Sequence, residues 1–300
     1  MIRKSIALSF VPVTACVVAF LAGPQAVPAS GNSSDPAAAA ATAAPDPIAT
    51  ITAHRVGQVF NYSLHGDTSQ SILGRDAFGR AVDQRAAASV LTGRERIAVR
   101  QASPSGLTVH RSGAITASAH GPAYTKAGTG WTLINGDGIV VRDHGTLGGL
   151  FLLPLGFLGE RAVKGGAPLA VGDSWHGKLG TKLFGMIARP SLTYRVSGTR
   201  YVLGTNVYSI EASGSAPMKE PIYTSAGQGL GYATGTARIT LDFDYDRTNA
   251  RVVAMDLRVQ DDLKLGGGTK APQGKVSDAN RYLVALDAGS ISASAISRSL

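Results

Sequence analysis

The residues able to do chemistry are few, and their spacing is unhelpful to catalysis. Asp173, Ser174 and His176 lie together and invite a nucleophile–base reading. On a strand, Ser174 and His176 point the same way but stand about 6.6 Å apart. Asp173 points to the opposite face. A nucleophile and its base need about 3 Å, so no triad is expected here. Asp242, Asp244 and Asp246 have the spacing that opens a calcium loop. Position six is then Arg247 rather than glycine, and position twelve is Val253 rather than glutamate. The intervening Phe243 and Tyr245 demand a strand. The three carboxylates, with Asp256, are read as a solvated strand face partnered by Arg238 and Arg258. The histidines, at 54, 65, 110, 120, 144 and 176, never fall within four positions of one another; they are read as isolated surface groups. No nucleophile elbow, P-loop, His-Glu-x-x-His or dinucleotide fingerprint is present. The single cysteine is Cys16, which leaves the rest of the chain without a disulfide, a thiol nucleophile or a cysteine metal site. No catalytic residue, metal or cofactor is expected.

Binding has better candidates. Arg94, Arg96 and Arg100 share one face of a strand, with His110 and Arg111 on the returning arm of the hairpin. This basic patch suits an anionic partner such as phospholipid headgroups or envelope polyanions, or serves solubility alone. The stretch Gly148 to Gly159 is strongly apolar, through Leu150, Phe151, Leu152, Leu153, Phe157 and Leu158. It is too short to span a bilayer and contains Pro154. It fits a greasy pocket lining, a flap or a buried crossing segment. Phe60 and Tyr62, with Phe243 and Tyr245, are the aromatic candidates for the same lining.

The elements that must position these groups are strands. The 300 residues include 37 glycines, only four glutamates, and 44% hydrophobic residues. That composition supports an ordinary core but not a helical bundle, since helices favour Glu and disfavour Gly. Period-two alternation dominates from Ile51 onward. Hairpins are expected at Ser103-Pro104-Ser105-Gly106, at Asn135-Gly136-Asp137-Gly138, and at Gly204-Thr205-Asn206. The clearest pairing sets Ile239, Leu241, Phe243 and Tyr245 against Val253, Met255, Leu257 and Val259. One dry and one wet face marks an antiparallel sheet. Two short helices are candidates, 76–88 and 277–287, the second fitting a strand equally. The expected fold is all-β, with antiparallel hairpins in a curved sheet or partly open barrel.

The ends of the chain read differently. Arg3 and Lys4 precede the apolar run Ile6 to Gly23, and Val27-Pro28-Ala29 offers a cleavage site. Residues 1–29 therefore read as a secretory signal. A second reading lipidates Cys16 within Val13-Thr14-Ala15-Cys16, although apolar residues continue past it. Residues 30–50 form an Ala/Pro/Ser-rich linker, 51–290 a single all-β domain, and 291–300 a flexible tail. The location expected is periplasmic or extracellular, with no transmembrane span in the mature chain. The net charge of +9 does not imply nucleic acid, because the chain reads as exported and lacks interleaved aromatic and basic residues.

Arg55-Val56-Gly57-Gln58-Val59-Phe60 is echoed by Ala170-Val171-Gly172-Asp173-Ser174-Trp175. This suggests two similar half-sheets, roughly 51–150 and 165–265. The layout resembles uncharacterised exported bacterial β-sheet proteins that are similar to periplasmic lipoprotein-carrier half-barrels. The resemblance covers residues 55–265 and rests on these short motifs. It implies a concave face that holds an acyl chain, and carries no catalytic residue. The function expected is a non-enzymatic cell-envelope binding protein for an apolar or amphipathic, lipid-like ligand. The alternatives are an exported structural or interaction protein docking through its sheet surface, and a hydrolase of envelope polymers.

Overall fold

The computed structural model describes residues 54–75, 79–85, 89–118, 123–146, 154, 169–183, 185–223, 229–246, 248–249, 251–266 and 273–287. The segments read as signal, linker and tail lie outside them, as does the apolar stretch 148–159 apart from Pro154. The described elements are all strands: β1 (Val59–Arg75), β2 (Ala81–Arg85), β3 (Ser89–Ser103), β4 (Gly106–Ser118), β5 (Tyr124–Asn135), β6 (Val140–Gly145), β7 (Ser174–Lys178), β8 (Ser191–Val202), β9 (Thr205–Tyr223), β10 (Gly229–Asp246), β11 (Arg251–Leu265) and β12 (Gln273–Leu286). Both segments left between helix and strand are strands where described. The described part of 76–88 contains β2, and 277–287 lies almost wholly in β12. Its Tyr282, Val284 and Leu286 alternate inward, and that period-two pattern outweighs the helical one.

The twelve strands form one antiparallel sheet in the order β6-β5-β4-β3-β1-β12-β11-β10-β9-β8-β7, with β2 paired to β1 off this path. Apart from β2, every neighbour in space is a neighbour in sequence, except that β12 returns to pair with β1. The chain therefore runs as a meander round a curled sheet whose edge strands are β6 and β7. Val140 N on β6 donates to Gly180 O, just past β7, at 2.9 Å. That bond bridges the two edges where a closed barrel would have a ladder. The inner face is one apolar core drawn from both halves, including Phe60, Ile97, Leu107 and Ile134 from one and Leu179, Tyr194, Ile239 and Phe243 from the other. Burying each such side chain contributes roughly 1.5–3 kcal/mol.

The repeat seen in the sequence is structural. Gly57 N donates to Val99 O, and Gly172 N to Val196 O. Val99 N donates to Gln58 O, and Val196 N to Asp173 O. Gly57 and Gly172 have φ of 87° and 94°, a conformation that costs glycine little. The partner strand bulges directly after the bonded valine in both cases, at 99–101 and at 196–198. Strands β1, β3, β4, β5 and β6 thus correspond to β7, β8, β9, β10 and β11, and β12 joins the two halves.

The turns follow local chemistry. Asn135 Oδ1 accepts from the amides of Asp137 and Ile139, and Gly138 takes φ of 76°. The β8–β9 turn is tighter than its sequence suggested. Val202 pairs with Thr205, and Leu203 and Gly204 take φ of 48° and 83°. Two central residues with positive φ define a type I′ turn, whose twist matches the flanking strands. In the β10–β11 pair, a bulge after Asp244 sets Tyr245 against Val252 instead of Val253.

Candidate functional site

Two buried polar clusters interrupt the apolar inner face, and they lie far apart along β1. Tyr62 pairs with Glu95, whereas Gln70 pairs with Asp278. The eight-residue step from Tyr62 to Gln70 corresponds to about 26 Å of strand.

The first cluster centres on Arg111, which is fully buried. Its Nε donates to Thr132 Oγ1 at 2.8 Å, its Nη2 pairs with Asp143 Oδ1, and its Nη1 lies 3.7 Å from Glu95 Oε1. That last separation is too long for a hydrogen bond. Burial drives the Glu95 carboxyl well above its usual range, against the opposing pull of Arg111. Asp143 is the acid in direct ion-pair contact with Arg111. Gly130 makes the room; a Cβ there would meet His144 O at 2.7 Å and Arg111 Nη2 at 3.3 Å.

This placement corrects the basic patch. Arg111 pairs directly with Ile97 across β3 and β4, and directly paired residues share a face. Ile97 is core, so Arg111 is core as well. Arg94, Arg96 and Arg100 are exposed on the outside of β3. Phe60 and Tyr62 belong to the core, 0% and 1% exposed, and the Tyr62 hydroxyl donates to Val252 O at 3.2 Å. Pro154 is buried and borders a cavity of about 10 Å³ beside Tyr62, Leu64 and Glu95.

The second cluster is Glu220 on β9, Asp261 on β11 and Asp278 on β12. A carboxylate oxygen from each lies within 4.8 Å of the others. Asp261 and Asp278 face each other directly, and both are buried; Glu220 is half-buried. Ala237 and Ala216 continue the row across β10 and β9, and their small side chains leave space for Glu220 to reach in. Gln70 Nε2 donates to Asp278 Oδ2 at 3.3 Å. Glu220 Oε1, Asp261 Oδ1 and Asp278 Oδ1 are buried with no hydrogen-bond partner. Burial, then repulsion from Asp278 and Asp261, pushes Glu220 up to about 9. Burial and Asp278 push Asp261 up to about 8. Burial also raises Asp278, against the hydrogen bonds it receives, and raises the neighbouring Tyr282 hydroxyl.

Local sequence pattern does not reveal this cluster, because its members are scattered over 58 positions on three strands. A signal was nevertheless present. Asp261 interrupts the inward row Leu257, Val259, Leu263, Leu265, and Asp278 interrupts Val276, Tyr282, Val284, Leu286. An acid in an apolar register is costly unless something compensates it.

The other candidates do not assemble. Ser174 and His176 are exposed on β7, and His176 Nδ1 meets the Thr193 hydroxyl instead, at 2.9 Å. Asp244 pairs with Arg200 and accepts from Ser209 Oγ. Asp246 accepts from Arg251 Nε at 3.1 Å, and Asp256 is held by Arg258 and Arg281. Those arginines hold Asp256 below its usual range, the Arg281 hydrogen bonds most strongly. His54 is buried edge-on to Phe60, so it is no surface histidine. His120 lies outside the described residues.

Fold and site together define an all-β protein with a curled antiparallel sheet and buried carboxyls on its inner face. No family model matches the chain, and no curated protein matches it. Among solved structures it is similar to a beta-barrel-like protein of a domain of unknown function from Brucella abortus. That likeness has 11% identity and a TM-score of 0.31, over 78% of this chain and 99% of the other. No family match supports the resemblance to lipoprotein-carrier half-barrels.

Proposed function

We propose that this is an exported, non-enzymatic binding protein of the cell envelope that holds the apolar part of an amphipathic ligand inside its curled sheet. The observation that carries this reading is the seam. Among the described residues, the bond from Val140 N to Gly180 O stands where a ladder between β6 and β7 would, so parting these edges breaks few backbone hydrogen bonds. The apolar inner face carries Phe60, Tyr62, Phe243 and Tyr245. These side chains are buried when the edges meet, so a ligand reaches them only when the seam opens. The exposed Arg94, Arg96 and Arg100 on β3 supply attraction for anionic headgroups. Export rests on the N-terminal segment, with its basic start, apolar run and small-residue exit.

The test is native mass spectrometry of delipidated protein offered a long-chain fatty acid and an anionic phospholipid. Uptake of one ligand per chain is expected. A protein that takes up neither refutes the reading and leaves the inner face as core alone.

A further inference from the structure

We propose that Glu220, Asp261 and Asp278 form a binding site for one divalent cation of the calcium class. The donors are three carboxylates from three separate strands, converging on one point of the inner face. All are hard oxygens, with no histidine or cysteine among them, which selects calcium, magnesium or manganese over zinc or copper. Two donors on opposite sides of Ca²⁺, at about 2.4 Å each, stand about 4.8 Å apart. For Mg²⁺, at about 2.1 Å, the figure is about 4.2 Å. The oxygens lie within 4.8 Å of one another, and three carboxylates on one point suit Ca²⁺, since Mg²⁺ is usually held by only one or two.

A second observation is independent of the clustering. Asp261 is 5% exposed and Asp278 is 8% exposed, yet the Oδ1 of each is buried with no hydrogen-bond partner. Buried oxygens left unpaired cost roughly 1–3 kcal/mol each. No arginine, lysine or histidine among the described residues forms a salt bridge with any of the three. A cation would satisfy all three oxygens and cancel their mutual repulsion. The remaining Asp278 oxygen is held by Gln70 Nε2, in the way an outer-shell partner orients a ligand. Glu220 is the least buried member.

The inference does not depend on lipid uptake, because it uses no residue of the seam. It is tested by calorimetric titration of the chelator-stripped full chain with Ca²⁺ and, separately, Mg²⁺. One Ca²⁺ per chain is expected, with weaker Mg²⁺ binding and a rise in Tm on adding Ca²⁺. Asp261→Asn and Asp278→Asn each lower Ca²⁺ affinity at least tenfold. Asp256→Asn, on the outer face of β11, leaves it unchanged. Glu220→Gln, at the half-buried position, replaces either variant that fails to fold. Absence of binding at millimolar Ca²⁺, preference for Mg²⁺, or full affinity in the amide variants overturns the proposal.

Discussion

Replacing Arg111 with methionine separates two views of one residue. On an exposed basic patch, Arg111→Met would change stability by no more than about 0.5 kcal/mol. In the structure the guanidinium is fully buried, bonded to Thr132 and Asp143 and 3.7 Å from Glu95. Methionine keeps the unbranched stem and its packing while removing every polar contact. Asp143 then loses its balancing charge, and Thr132 loses a donor. Breaking a buried pair from one side costs about 3–5 kcal/mol. Asp143 is an exposed residue, with 28% of its side chain accessible, so a loss at or below the lower end, about 2–3 kcal/mol, is expected. That is a large part of the roughly 5–15 kcal/mol that holds a typical domain together. Urea unfolding measures it as a midpoint lower by about 1 M or more, with the slope unchanged. Asp143→Asn should cost at least about 1 kcal/mol less in the Arg111→Met background than in the wild type. A loss below about 1 kcal/mol for Arg111→Met, or strict additivity in the cycle, would refute the buried network.

Three further outcomes are expected. Glu95 keeps its proton in the fold, whereas the unfolded chain releases it above about pH 4.3; this part of the stability falls as pH rises, by up to about 1.4 kcal/mol per unit, until Glu95 itself ionises. Glu95→Gln should flatten that slope, read from urea midpoints at pH 5 and pH 6. A disulfide joining Val140→Cys and Gly180→Cys should block ligand uptake when oxidised and restore it when reduced, followed by native mass spectrometry; uptake through the locked seam would contradict the entry route. Leu203→Asn should stabilise the protein by about 1 kcal/mol in thermal unfolding, because Leu203 is half-exposed and takes φ of 48° at a type I′ position.

Much of the sheet was legible because alternation is a strong signal where one face is buried. Ile239, Leu241 and Phe243 pair with Val259, Leu257 and Met255, as their pattern required. The paired Val-Gly steps also located the start of each half. What could not be read was parity at particular positions. His110 and Arg111 are adjacent and cannot share a strand face, and only the register with Ile97 shows which of them enters the core. Bulges after Val99, Val196 and Asp244 shift the alternation by a residue, and nothing in those short stretches announces them. The carboxyl cluster depends on β9, β11 and β12 lying near one another, a relation that strand topology creates and local pattern does not contain.

The position of β12 has a consequence for how this molecule comes into being. The last strand forms the only described join between β1 and β11, so Tyr62 waits for Leu286 to arrive. Until then both strands present bare edges, the condition in which sheets stick to other chains. Such distant pairing is slow to close. A sheet that cannot close until β12 pairs leaves those two edges open for as long as that pairing takes.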